Sequence, residues 1–220
     1  MALIRHAIVH EPLTNAELER WRQVATSVAA DAMNRSQAMV GAIKPLKPGL
    51  MLCGQARTVQ AMVGDNGPLH AAVSLARKGE VLVVDACGCE DTAVWGEILT
   101  TPAIARGIAG VVLDGASRDA ARIRELGFPV FCRAVVPRGP HKGFGGVIDG
   151  PISAGGVPVS PGDLVLGDDD GVVVVPRSRI AEAAAAVATV LAKEKQLSDG
   201  IASGRSTTEL LGIAVPPPQS

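Results

Sequence analysis

The sequence predicts an α/β protein: one domain built on a mixed sheet. Short Val-, Ile- and Leu-rich runs at Glu80–Asp85, Gly110–Asp114 and Pro129–Ala134 alternate with segments of helical spacing, the pattern of strand-helix-strand units with right-handed crossovers. The composition has three Phe, two Trp and no Tyr beside 25 Gly and 15 Pro, so aliphatic side chains must fill the core and the chain must turn often. A length of 220 residues with 47% hydrophobic and 20% charged content suits one domain and excludes wholesale disorder. No internal repeat or long linker divides it.

Thr14-Asn15-Ala16-Glu17 reads as a capping box, in which hydroxyl and carboxylate satisfy orphan amides, and a helix is expected from there to about Ala30. A short stretch, Val28–Asn34, continues it before Gly41, Pro45 and Pro48 interrupt the period. From Leu50 the pattern turns to strand: Met51–Val63 is extended, Gly64-Asp65-Asn66-Gly67 is a turn, and Leu69–Arg77 is helical. The strand Glu80–Asp85 precedes a helix over Ala93–Arg106. Gly110–Asp114 is the next buried strand, Arg118–Leu126 a helix and Pro129–Ala134 a third strand. Beyond Gly139 the runs Val157–Val159, Leu164–Leu166 and Val172–Val175 form a meander. Arg179–Leu197 is an Ala-rich helix. The domain is expected to span 1–212, with 213–220, including Pro216-Pro217-Pro218, as a frayed tail.

Lys and Arg total 21 against 22 Asp and Glu, a net charge of −1, which together with the lack of aromatic platforms makes nucleic acid a poor partner. No stretch approaches the roughly 20 apolar residues that span a bilayer, and Arg5–Glu11 is polar where a signal peptide needs an apolar core, so a cytoplasmic location without membrane contact is expected. Cys53, Cys87, Cys89 and Cys132 do not have zinc-ribbon spacing and are expected to be reduced thiols.

In α/β folds, chemistry gathers beyond the carboxyl ends of strands. One such end runs from Val83-Val84-Asp85 through Cys87-Gly88-Cys89 into Trp95-Gly96-Glu97-Ile98-Leu99, where glycine admits close backbone approach and free amides at a helix start can hold a carboxylate. The other is Leu113-Asp114-Gly115-Ala116-Ser117-Arg118-Asp119. Arginine is a planar donor for carboxylate or enolate oxygens and aspartate a hard ligand for Mg²⁺ or Mn²⁺; equally, Asp119 can cap the helix while Arg118 faces solvent.

The stretch from Val84 to Arg118-Asp119, with Phe128-Pro129-Val130-Phe131, Pro158–Val165 and Asp168–Pro176, resembles the RraA and HMG/CHA aldolase family over about Asp31–Gly212. That family comprises 4-hydroxy-4-methyl-2-oxoglutarate and 4-carboxy-4-hydroxy-2-oxoadipate aldolases, which also decarboxylate oxaloacetate, and regulators of ribonuclease activity. Its aldolases carry an acidic residue, twenty positions, then Arg-Asp. Here Glu97 precedes Ile98–Ser117 and Arg118-Asp119, Glu standing where Asp is usual and the regulators usually have Gly. The resemblance implies a swivelling β/β/α fold and a homotrimer or homohexamer with sites between subunits. It further implies that Asp119 binds a divalent cation directly, Glu97 holds the cation's waters, and Arg118 contacts the keto or enolate oxygen of a pyruvyl unit. The amides beside Gly96, those of Ile98 and Leu99, would hold the pyruvyl carboxylate, and Glu194 would reach a neighbouring subunit's site. The expected activity is a metal-dependent pyruvate aldolase and oxaloacetate decarboxylase on 2-oxo acids, a water or hydroxide oriented by Glu97 serving as base. The rival is a binding protein that regulates a ribonuclease without turnover; a menaquinone-precursor methyltransferase would need a glycine-rich cofactor loop, which is missing.

Other features read more plainly. Asp168-Asp169-Asp170 before Gly171 signals a hairpin turn rather than a calcium cluster, and His6 and His10 have no third ligand nearby. Arg138–Gly143 is a small basic loop, solvated or meeting a distal substrate carboxylate. Cys87-Gly88-Cys89 sits beside the expected pocket, where a thiol contact or plain packing and loop geometry would each explain it, and Gly143-Phe144-Gly145-Gly146 is no dinucleotide fingerprint because it does not join strand to helix.

Overall fold

The computed structural model describes residues 3–218. The chain begins with β1 (Leu3–Arg5), an edge strand inside a segment too polar to signal one. The Thr14 capping box forms as expected, with Thr14 Oγ1 accepting from Glu17 N at 3.2 Å and Glu17 accepting from Thr14 N at 2.8 Å. It starts α1 (Asn15–Arg22), which stops short of Ala30; α2 (Thr26–Ala32) follows as a separate helix. Then come β2 (Lys44–Pro45), β3 (Leu52–Ala61) and α3 (Gly67–Leu75).

β4 (Val81–Trp95) corrects the sequence reading: the strand does not end at Asp85, and Ala93–Trp95 is extended rather than helical. Its bulges fall after Asp85, Cys89 and Ala93, and the pairings Ala93 with Ala116 and Trp95 with Ser117 pull the apolar triplet into the ladder. Consequently α4 (Glu97–Ala105) starts four residues later than expected. β5 (Gly110–Ser117), α5 (Ala120–Leu126) and β6 (Val130–Val135) follow. Next are β7 (Gly146–Ile148), β8 (Ile152–Ala154), β9 (Val157–Val159), β10 (Leu164–Asp168) and β11 (Gly171–Val175), the first two not legible in the sequence. A 3₁₀ turn at Arg177–Arg179 leads into α6 (Ile180–Ala202), longer than expected, and α7 (Thr207–Leu211) ends at a left-handed Gly212. Of the expected tail, Gln219 and Ser220 lie outside the described residues.

The main sheet runs β1-β7-β3-β4-β5-β6-β2, its centre β3 to β6 parallel and its flanks mixed. β10 pairs with the first half of β3 and with β11, the turn at Asp169-Asp170 closing the expected hairpin. One sheet face packs on α3, α4 and α5 through Leu69, Val73, Leu99, Ala103 and Ile123. The other packs on β8, β9 and the hairpin, whose far side is covered by Trp21, Val28, Met33, Ala183 and Val187. These layers of sheet, sheet and helix are the mixed α/β domain expected. They aim the carboxyl ends of β4 and β5 at the starts of α4 and α5.

A charged clamp braces the layers. Arg57 on β3 is buried between Glu80, with Nε to Oε2 2.8 Å, and Asp149, with Nη1 to Oδ1 2.8 Å; all three lose water together. Asp168 anchors the hairpin to α2 by accepting from Thr26 N at 2.8 Å and Thr26 Oγ1 at 2.6 Å.

Candidate active site

Arg118 and Asp119 lie between the end of β5 and α5. Asp119 occupies the cap position of α5 in the left-handed region (φ 58°, ψ 32°), an unfavourable place for a residue with a Cβ, yet its side chain makes no bond to its own helix. Instead Oδ2 accepts from Glu97 N, the first amide of α4, at 3.1 Å and lies 3.5 Å from Arg118 Nε. Of the two sequence alternatives, the simple cap on α5 is therefore not what forms.

Gly96 makes this closeness possible: a Cβ there would stand 2.6 Å from Asp119 Oδ2 and 3.1 Å from Arg118 Cγ. Gly139 does the same on the other side, where a Cβ would stand 2.5 Å from Arg118 Nη1. The Gly96 carbonyl accepts from Leu99 N at 3.2 Å, Thr100 N at 3.0 Å and Thr100 Oγ1 at 3.0 Å, and Trp95 Nε1 donates to that hydroxyl at 2.9 Å. The start of α4 is thus rigid. The Ile98 amide enters no hydrogen bond among the described residues, whereas that of Leu99 is already engaged by Gly96.

Arg118, Gly96, Ile98 and Leu99 border a cleft of about 130 Å³ together with Asn66, His70 and Lys142. The last three were missed as site residues. Asn66 is buried and its Oδ1 has no hydrogen-bond partner among the described residues. Burial, then the charge of Lys142, lowers the His70 pKa and favours neutral imidazole. An Asn and a His four positions apart at the start of an otherwise apolar helix was the available signal.

Lys142 is delivered by the basic loop, pinned by the buried Asp65 carboxylate. Asp65 accepts from Gly67 N at 2.6 Å, Phe144 N at 2.5 Å and Gly143 N at 3.2 Å. Burial alone would raise the Asp65 carboxyl, but these amides and that of Gly145 outweigh it and hold it below the usual range.

Glu97 Oε1 accepts from Arg122 Nε at 3.1 Å, so its carboxylate stands beside α5 next to Asp119. Glu194 lies on the exposed far half of α6, which packs on α2 and α7, away from the other site residues of its own chain. The cysteines form no disulfide, and burial pushes the Cys53 and Cys132 thiols up to about 11, so neither supplies thiolate near neutrality. Among the described residues no group of three or more His, Cys, Asp or Glu side chains is arranged to hold a metal, and no helix is long and apolar enough to cross a membrane.

An α/β chain with an Arg-Asp pair presented across the first turn of a neighbouring helix agrees with the family comparison: the RraA-like model, described as Aldolase/RraA, matches residues 26–174, and the chain belongs to this family. It is 37% identical over 204 residues to a Halalkalibacterium halodurans protein named "Putative 4-hydroxy-4-methyl-2-oxoglutarate aldolase", covering 90% of this chain and 97% of that one. Among solved structures, it resembles Streptomyces coelicolor RraAS2, titled an unusual member of the RNase ES inhibitor RraA family. That match has a TM-score of 0.74 and 31% identity, covering 88% of this chain and all of the other. The Thermus thermophilis structure titled RNA-processing inhibitor RraA matches with a TM-score of 0.64 and 30% identity over 70% of this chain and 93% of its own.

Proposed function

We propose that the chain is a divalent-cation-dependent pyruvate aldolase that cleaves 4-hydroxy-4-methyl-2-oxoglutarate or 4-carboxy-4-hydroxy-2-oxoadipate type substrates and decarboxylates oxaloacetate. The observation that carries it is the Arg118-Asp119 pair at the edge of a cleft with an unpartnered acceptor, Asp119 being held in left-handed backbone against the Glu97 amide of α4. Asp119 fits a cation that keeps most of its water: Oδ2 is engaged, Oδ1 takes no hydrogen bond from the described residues, and the side chain is 38% exposed. A bound Mg²⁺ or Mn²⁺ supplies Lewis-acid stabilisation of charge on the 2-oxo oxygen.

The chain's own groups do the rest. The free Ile98 amide holds the pyruvyl carboxylate at the positive end of α4, with the Leu99 amide, shared with the Gly96 carbonyl, beside it. The C4 hydroxyl proton passes to a water oriented by Glu97. The C3–C4 bond then breaks, its electron pair moves to C3, and the planar Arg118 guanidinium donates to the enolate oxygen that results. Loss of CO₂ from oxaloacetate leaves the same enolate. In this reading the active form is a homotrimer or homohexamer whose sites lie between subunits, with Glu194 supplied by a neighbour.

The test is pyruvate release from oxaloacetate and 4-hydroxy-4-methyl-2-oxoglutarate with Mg²⁺ or Mn²⁺, repeated with a chelator. Turnover lost on chelation and restored by the cation is expected. A folded protein that turns over neither substrate would remove the aldolase and favour a ribonuclease-binding regulator. Arg118→Lys is expected to lower kcat by about 10²-fold, since an ammonium cannot reproduce the planar donor fork; near-normal kcat in that variant would take Arg118 out of the chemistry.

A further inference from the structure

Residues 136–145 join β6 to β7 across the sheet, because β5, β4 and β3 lie between those two strands. β3 to β6 are parallel, so this crossover passes over their carboxyl ends, where the cleft lies. Four strand spacings are about 19 Å, and a segment of this length can reach about 34 Å, so it has slack and must be fastened to keep one path. The chain fastens it along the way. Val136 N donates to Ser117 O at 3.0 Å at the end of β5, and Ala93 N, near the end of β4, donates to Arg138 O at 2.9 Å. Past β3, His141 N donates to Gly64 O at 2.7 Å and Asn66 N to His141 O at 3.1 Å.

The last fastening is made by a side chain. The Asp65 carboxylate, wholly buried, takes Gly143 N and Phe144 N on Oδ2 and Gly67 N on Oδ1, so one group ties the crossover to the start of α3, from which Asn66 and His70 reach the cleft. We propose that Asp65 is a positioning residue for the reaction, fixing the crossover over the cleft and thereby setting where the Lys142 ammonium meets an anionic 2-oxo acid. The inference rests on the aldolase reading above and deepens it.

Lys142 stands between two residues that are both bonded to the turn at 64–66: His141 through its backbone, Gly143 through Asp65. Its ammonium borders the cleft and, after burial, is the second cause of the lowered His70 pKa. The substrate is an anion before, during and after bond cleavage, so a cation at that rim attracts the bound ground state and the transition state alike. Such uniform attraction is read in KM rather than in kcat. Releasing the Asp65 grip leaves the Lys142 side chain intact but lets its backbone wander, which spreads the ammonium over many positions and weakens the same attraction.

The experiment is a double-mutant cycle on pyruvate release from oxaloacetate with Mg²⁺, using the native protein, Asp65→Asn, Lys142→Ala and the double variant. A carboxamide has one acceptor oxygen, so Asp65→Asn can hold Gly67 N or the crossover amides but not both. Each single variant is expected to raise KM about tenfold or more while kcat changes less than about threefold. Because Asp65 acts through Lys142, the double variant should show a KM within about twofold of Lys142→Ala alone. Effects that multiply in the double variant, a loss confined to kcat, or a near-native KM in either single variant overturn the inference, while native turnover keeps the aldolase reading standing. Should Asp65→Asn not fold, Asp65→Ser replaces it, since a hydroxyl can still accept from Gly67 N; if neither folds, Asp65 is a structural residue and the inference falls. No turnover by the native protein overturns the aldolase reading and this inference with it.

Discussion

Asp119→Gly is expected to lower kcat for pyruvate release by about 10³-fold while changing the stability of the protein little. The two effects have separate origins. The Asp119 carboxylate takes one hydrogen bond on Oδ2 and leaves Oδ1 for a cation beside Arg118, so its loss removes charge stabilisation from the enolate. The backbone at 119 is left-handed, which costs a residue with a Cβ on the order of 1 kcal/mol and costs glycine little. Against this relief stand the hydrogen bond to Glu97 N, worth about 1 kcal/mol, and the greater unfolded-state freedom of glycine. The thermal midpoint should therefore stay within about 3 °C of the parent. Asp119→Asn separates capping from charge: its side-chain oxygen still accepts from Glu97 N, yet kcat should fall almost as far. A midpoint lowered by much more than this in Asp119→Gly, with activity retained in Asp119→Asn, would make Asp119 a structural cap on α4.

The largest loss of stability is expected from Arg57→Ala, about 3–5 kcal/mol by urea unfolding and about 10 °C or more in thermal midpoint. Arg57 bridges Glu80 at 2.8 Å and Asp149 at 2.8 and 2.9 Å, with side-chain exposures of 1%, 9% and 0%. Removing the guanidinium leaves two carboxylates facing each other without water. Arg5 reaches Asp149 at 3.3 Å from the exposed side and cannot replace the bond to Glu80. Adding Glu80→Gln and Asp149→Asn to Arg57→Ala should restore part of the loss, since neutral amides are cheaper to leave buried. Full restoration would show that the clamp contributes no net stability; a cost below 1 kcal/mol for Arg57→Ala alone would show that water reaches the clamp.

The strands β3 to β6 and the helices between them were legible because each is signalled by its own local period. The Arg118-Asp119 pair, Gly96 and the start of α4 were legible as candidates because a strand end followed by glycine and a helix is a local pattern too. What escaped depends on distant partners. Ala93-Val94-Trp95 is apolar enough for a helix and becomes strand only because β5 and Arg138 O bind its backbone. β1 and β7 are three residues each and exist by pairing with one another, and β7 also with β3. Asn66, His70 and Lys142 meet because Asp65 draws the loop at 143–144 to the start of α3, across nearly eighty residues of sequence. Glu194 was not legible from local pattern, because a long Ala-rich helix offers few landmarks and the resemblance places that residue at a neighbouring subunit's site.

The way Asp65 holds its loop has an evolutionary consequence. It grips main-chain N–H groups, so the grip asks nothing of the side chains at Pro140, His141 or Lys142 and constrains only glycines such as Gly143 and Gly145, whose positive φ the turn demands. The loop behaves as an interchangeable cassette on a fixed mount: its lettering can drift under selection while its position over the cleft is preserved. Descendants of such a chain can try new chemistry at one rim of the cleft without first solving the folding problem again.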